Sequence, residues 1–183
     1  LFSQFTDLVL STAMMNPASR DLSSVLSRIT NKLQQDLVVS ETLHKLRDIL
    51  NVDRVVLYYF YTQWKGQVTF ESISDHKYSI IGSTGADDCF NIDYATLYLA
   101  GRIHATDDIE VAPISECHRD FLREMQVRSN LVAPVLSNSK LWGLMVAHHC
   151  QDVKRWKVAD IESMRQYSRA LKSASSISEP YPN

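Results

Sequence analysis

Six histidines and three cysteines are the side chains here best suited to hold a ligand, a metal or a substrate carbon, and their spacing limits what they can do. Cys117 falls in the first turn of a helix expected over Ser115 to Gln126. Unpaired backbone N–H groups and the positive dipole end favour a thiolate there. Cys117, Phe121 and Met125 recur four residues apart with Leu122 beside them, so they share a stripe and Cys117 is expected to face inward. A small buried residue in a core stripe fits the same position, and position alone leaves both readings open. His118 follows directly, and His148, His149 and Cys150 cluster further on, which raises zinc. Neighbours on a strand point to opposite faces and paired-ligand spacings are lacking, so no metal site is expected. A Cys–His hydrolase needs an imidazole aimed at the thiolate, whereas adjacent helix residues diverge by roughly a quarter turn. With no nucleophile elbow, phosphate cradle or dinucleotide signature, and only five glycines, the expectation is a binding domain rather than an enzyme. Asp87-Asp88-Cys89-Phe90, taken alone, reads as an acidic turn followed by two inward-packing residues.

The elements that must position these residues follow from periodicity. Leu22, Val25, Leu26, Ile29 and Leu33 recur at helical spacing, as do Leu43, Leu46 and Leu50, with a break expected at Val38-Val39-Ser40. Upstream, Leu1 to Met15 is apolar and helix-compatible, and Asn16-Pro17 should end or kink it. Val55 to Tyr61 and the alternating Val68, Phe70 and Ser72 read as a hairpin around Trp64-Lys65-Gly66. Asn130 to Leu136 and Leu141 to Cys150 are two further strands joined by the polar turn 137–140, and a closing helix starts near Lys157. From Ser173 to Asn183 the chain reads as a frayed tail or linker. The stretch from Ser74 to Pro113 has no sustained period and exceeds the ~4–6 residues of an ordinary connection. Its Cys89, Phe90, Tyr94, Tyr98 and Ile103 are too apolar for a loose linker, which points to a packed lid over a ligand pocket.

Composition narrows the classes. At 183 residues and 45% hydrophobic, the chain fits one compact α+β domain with an extra helix or two. Nineteen basic against 21 acidic residues lack the positive excess of a nucleic-acid footprint. No run approaches the ~20 apolar residues of a membrane span, and no signal peptide is evident, so a soluble cytoplasmic domain without membrane contact is expected. The first residue, Leu1 rather than Met, is consistent with a piece of a longer protein or with processing that removes a methionine. Three widely spaced cysteines argue against a disulfide framework.

Taken in order, Asp87-Asp88-Cys89-Phe90, Cys117-His118 with Phe121-Leu122, Val127, Asn130-Leu131-Val132-Ala133-Pro134, Leu141-Trp142-Gly143-Leu144 and Ala147-His148 form a series. It resembles the cyanobacteriochromes, compact relatives of phytochromes, from about Leu43 through Leu171. The resemblance implies a GAF fold: a central antiparallel sheet of about five or six strands, flanking helices and a long region covering a linear tetrapyrrole. It divides the chain into an N-terminal helical segment (1–39), a bilin-binding GAF domain (40–175) and a tail or linker (176–183). In that family the cysteine matching Cys117 forms a thioether with the ring-A side chain of phycocyanobilin or phycoviolobilin, and the histidine matching His118 lies against the pigment. Asp87 to Phe90 is similar to the Asp-X-Cys-Phe motif of the dual-cysteine subgroup, with aspartate at X where proline is common. There the residue matching Asp87 accepts pyrrole N–H groups, a suitable task for a carboxylate facing a cationic pigment. Cys89 would then be the second, reversible thiol, with Phe90 the retained fourth residue of the motif. Arg102 matches an arginine that grips a propionate, as guanidinium–carboxylate pairing allows. His148 matches a histidine near ring D, and His149 should point to the other face.

The implied function is a photoreceptor domain that switches between a blue- or violet-absorbing and a longer-wavelength, green or teal state. Ring-D isomerisation would be coupled to reversible addition of the second thiol. Implied partners are the bilin and an output domain of the same sensor (histidine kinase, chemotaxis-type or cyclic-dinucleotide enzyme). The apolar faces of the 22–33 and closing helices would support a homodimer, or would simply cap the sheet. The competing reading is a GAF domain that binds a diffusible ligand such as a cyclic nucleotide.

Overall fold

A computed structural model of the chain describes residues 17–62, 65–85 and 92–179, with the side chains of 17–20 and 92–94 outside that description. Among these residues the chain opens on two consecutive helices, α1 (Pro17–Gln35) and α2 (Leu37–Leu50). Proline suits the first helical position, where its missing N–H is not needed. The break between the helices falls at Asp36, not at Val38-Val39-Ser40 as expected. The Asp36 carboxylate accepts the Val38 N–H at 3.0 Å and so starts α2, while Val39 is fully buried inside that helix. Capping and burial outweigh the slight helix reluctance of two valines.

Five strands form one antiparallel sheet in the order β2-β1-β5-β4-β3. They are β1 (Arg54–Thr62), β2 (Lys65–Ile73), β3 (His104–Thr106), β4 (Ser129–Ser137) and β5 (Lys140–His149). The central antiparallel sheet with flanking helices expected from the sequence is thus present, with β3 as a short edge strand that no alternation announced. Asn138 and Ser139, both at positive φ, make the two-residue turn between β4 and β5. Residues 92–99 form α3 (Ile92–Leu99), and three further helices follow: α4 (Glu116–Glu124), α5 (Val158–Ala170) and α6 (Ser175–Ser178).

Alternation along the central strands sends residues to two different places. Val55 and Leu57 of β1, Leu131, Ala133 and Val135 of β4, and Met145 and Ala147 of β5 join the main core with Ile29, Leu33, Leu43, Leu46, Leu50 and Met164 of the helices. Val56, Tyr58 and Phe60, then Val132, then Leu144, Val146 and His148 line a cavity on the opposite face. In β2 the register shifts opposite Leu57 and Tyr58, so Phe70 joins the core while Val68 lines the cavity. Strict alternation would have put both on one face; the extra residue of a bulge at Thr69 separates them. The segment read as a frayed tail from Ser173 is packed as far as Ile177. Ala174 and Ile177 are buried, and Ser176 donates from backbone and hydroxyl to Asp36 at 3.0 and 2.8 Å. Asp36 therefore both caps α2 and anchors α6.

Candidate functional site

The cavity opposite the helical core measures about 350 Å³, within the range of roughly 300–1,000 Å³ typical of small-molecule pockets. Its floor is the sheet face just described. Its cover comes from Ile80 and Gly85, Tyr98 of α3, Arg102 and His104, residues 113–115, and α4. The lid expected between Ser74 and Pro113 thus has a physical counterpart, built from a short 3₁₀ turn (His76–Tyr78), α3 and β3. Tyr58 is fixed within it: its hydroxyl accepts the Gly85 N–H at 2.8 Å, and a Cβ on Gly66 or Gly85 would run into its ring or hydroxyl.

Helix α4 supplies His118, Phe121 and Leu122 to the lining, and its C-cap Met125 adds a fourth residue. These fall at i, i+3, i+4 and i+7, so His118 leads the inward stripe. Cys117, one residue earlier, is rotated about 100° away. It is exposed and is not among the lining residues, which corrects the expectation that it faces inward. Its position beside Ser115 and His118, both lining, still places it next to the cavity. Ser115 caps α4 through the His118 N–H at 3.3 Å, so Cys117 stands in the first turn at the positive end of the helix, as expected. Its sulfur is in a disulfide, and Cys150 is the free cysteine among the described residues. Asp87, Cys89 and Phe90 lie outside the described residues.

Arg102 lines the cavity with an exposed side chain, and its Nη2 lies 3.2 Å from His104 Nδ1. A guanidinium only donates, so His104 accepts at Nδ1 and carries its proton on Nε2, which lies 3.2 Å from the Thr106 hydroxyl. His148 is buried and lines the floor; His149 points to the other face, its Nδ1 3.3 Å from the buried Asp53 carboxylate but outside hydrogen-bond geometry. Asp53 also accepts the Cys150 N–H and the Gln151 amide, each at 2.7 Å. Burial lowers the pKa of His104, His118 and His148, with smaller contributions from the Arg102, His104 and Arg54 charges respectively. The imidazoles of the cavity are therefore neutral at physiological pH.

Among the described residues, the polar side chains lining this largely apolar space are Arg102, the three histidines, Ser115 and Asn130, with the hydroxyl-bearing Tyr58 and Tyr98. Asn130 is buried, and its Oδ1 has no hydrogen-bond partner among the described residues. An unpaired buried acceptor costs about 1–3 kcal/mol, which suits a wall that meets an N–H-bearing ligand. A flat, mostly apolar tetrapyrrole with carboxylate arms and pyrrole N–H groups fits this set, since Arg102 suits a carboxylate and aromatic side chains suit the ring system. Sequence reasoning missed Asn130, Tyr58 and Arg54. Asn130 and Tyr58 alternate with core residues on their strands, but nothing local distinguishes the cavity face from an exposed one. No group of three metal-ligating side chains occurs among the described residues, and no helix there is long and apolar enough to cross a membrane.

A sheet backed by helices on one face and hollowed into a cavity on the other is an α+β architecture with room for a small molecule. Residues 34–174 match the GAF domain model, and the chain belongs to the GAF domain family. It is 47% identical over 152 residues to an uncharacterized protein of Picosynechococcus, covering 83% of this chain and 93% of that protein. It is 34% identical to a putative methyl-accepting chemotaxis protein of Synechocystis, over 79% of this chain but 14% of that longer protein. Among solved structures it is similar to the cyanobacteriochrome receptor PixJ, with TM-score 0.69 and 30% identity over 78% of this chain and 96% of that one. A phycocyanobilin-bound GAF domain from a cyanobacterial phytochrome gives TM-score 0.67 and 28% identity, over 82% and 91% of the two chains.

Proposed function

We propose that this chain is the light-sensing domain of a cyanobacteriochrome-type receptor, holding phycocyanobilin or phycoviolobilin covalently on Cys117. The observation that carries the reading is the combination of an apolar and aromatic cavity, Arg102 at its edge and neutral His118 and His148 on its walls, with a cysteine at the adjoining helix N-terminus. The bound pigment supplies light absorption and isomerisation about the bridge joining rings C and D.

The protein's part is attachment, orientation and exclusion of water. With its disulfide opened by an external thiol reductant, the Cys117 thiol would hold the pigment by adding to the ring-A side chain, a sulfur–carbon bond replacing a carbon–carbon π bond as the thiol proton passes to the pigment. No oxidant is needed and nothing is released. Arg102 orients a propionate, and His118 packs against the ring system without adding positive charge beside a cationic tetrapyrrole. Asp87 accepts pyrrole N–H groups. Cys89, supported by its Asp-X-Cys-Phe context with Phe90 as the motif's fourth residue, would be the second thiol, and its reversible addition would shorten the conjugation and give the blue- or violet-absorbing state. The domain does no catalysis of its own; it passes the change to an output domain in a longer chain, the kind of context in which its chemotaxis-type relative is found. A cytoplasmic location and a homodimer through the terminal helices belong to the same proposal.

The test is incubation of the reduced chain with phycocyanobilin, then denaturing electrophoresis with zinc-induced fluorescence and absorption before and after blue illumination. A fluorescent band on the chain that is lost in Cys117→Ser supports the reading. Pigment removed completely by denaturation refutes covalent attachment and leaves a diffusible-ligand GAF domain.

A further inference from the structure

Arg54 begins β1 and sits directly opposite His148 of β5 in the strand register. It is buried, with 1% of its surface exposed, and it spends its donors on three elements. Nε donates to His148 Nδ1 at 2.8 Å, Nη1 to the Tyr78 carbonyl at 2.8 Å and Nη2 to the Met125 carbonyl at 2.6 Å. The last two bonds tie the 3₁₀ turn and the end of α4 to the sheet. The first does something else.

We infer that Arg54 is a positioning residue that holds His148 in the neutral form protonated on Nε2, so that the cavity floor presents a hydrogen-bond donor at that point. A guanidinium has donors and no acceptor, so Nδ1 of His148 must offer its lone pair to Arg54. The ring proton then belongs on Nε2, across the ring from Arg54, and no hydrogen bond from a described residue satisfies that atom. His148 lines the cavity, so its free N–H serves a ligand there. An imidazolium would set Nδ1–H against Arg54 Nε–H. The charged or titratable groups around His148 act the same way: Arg54 on β1 and His118 on α4 both oppose its protonation, as does burial. The carboxylates of Glu71 and Asp53 offset the buried charge of Arg54 instead.

The consequence is a choice of ligand group. A neutral acceptor, such as a lactam carbonyl, is favoured against His148, and a cationic or N–H-bearing group is disfavoured. Applied to a bilin, this rests on the proposed function above: the terminal carbonyl of the pigment is oriented by His148 only because Arg54 has settled which nitrogen carries the proton.

Long-range ¹H–¹⁵N correlation of ¹⁵N-histidine-labelled chain without pigment reads the tautomer directly, with His148→Gln identifying the resonance. The expected spectrum shows Nδ1 as an unprotonated and Nε2 as a protonated ring nitrogen, biased at least about tenfold, as a charge-assisted hydrogen bond implies. In folded Arg54→Met the two tautomers should mix and both shifts move toward intermediate values. A His148 protonated on Nδ1 or doubly protonated in the parent chain overturns the inference, as does an unchanged tautomer in folded Arg54→Met. If Arg54→Met does not fold, the parent spectrum decides alone. Since no pigment is present, the result stands apart from whether the chain takes up a bilin.

Discussion

Lowering the pH from 7.5 to 5.5 should destabilise this domain through His148, by an amount that can be worked out. Its imidazole is 4% exposed, and burial, reinforced by the Arg54 and His118 charges, holds its pKa well below the ordinary 6.5. The unfolded chain takes up a proton at this residue near pH 6.5 and the folded chain does not. Stability from this source is therefore complete above that pH, and it falls as the pH drops through 6.5 toward the folded-state value. One proton bound only by the unfolded state is worth about 1.4 kcal/mol per pH unit, and integration from pH 7.5 to 5.5 gives about 1.4 kcal/mol. His104 and His118, also lowered but partly exposed, add smaller losses of the same sign. The carboxylates with lowered pKa, Asp36 and Glu110, start from 3.8 and 4.5 and titrate below this window. Urea unfolding followed by circular dichroism at pH 7.5, 6.5 and 5.5 measures the slope for the parent chain and for His148→Gln, whose amide oxygen can still accept from Arg54. The variant should lose about 1.4 kcal/mol less over the range, whatever its absolute stability. Equal slopes for the two proteins would refute the buried, neutral His148.

Gly143→Ala places a Cβ against the Tyr58 backbone where β5 and β1 approach, and should cost about 1–3 kcal/mol in urea unfolding; a neutral substitution would contradict that close approach. Asp36→Ala removes both the α2 cap and the Ser176 anchor, with an expected loss of about 1–2 kcal/mol and faster hydrogen exchange in α6; unchanged exchange at Ser176 and Ile177 would count against the anchor. Cys89→Ala, in pigment-loaded protein, should keep the bilin on Cys117 while moving the resting absorption from blue or violet to much longer wavelength, and retention of the blue-absorbing state would rule out the second-thiol mechanism. Cys150→Ser should leave both absorption states in place, because burial pushes that thiol up to about 11 and keeps it protonated.

The periodic part of the fold was legible because periodicity is a local property. β-Branched and aromatic runs marked β1, β4 and β5, the Asn138-Ser139 turn was announced by its polar residues, and the helical stripe over Leu22 to Leu33 became α1 with Ile29 and Leu33 fully buried. The resemblance marks Cys117, His118, Arg102 and His148; the last three line the cavity, and Cys117 stands at the head of α4. The phase of that helix was not legible. Spacing of four grouped Cys117 with Phe121 and Met125, but the cavity lies on the His118 side, and which flank of a stripe meets the pocket depends on how α4 leans on the sheet. β3 is three residues long and carries no pattern of its own; it exists because the β4 edge is there to pair with.

What the sequence by itself determined was the longer periodic helices and strands, the family resemblance and the chemistry available, since these follow from residue types and near-neighbour spacing. Only the tertiary structure decided which of two sheet faces holds the cavity, which nitrogen of His148 carries its proton, and that a tail read as loose is packed against Asp36. The physical reason is separation along the chain: Arg54 and His148 are 94 residues apart and Asp36 and Ser176 are 140 apart. A buried arginine acts on a histidine only through a bond that exists once the strands have paired.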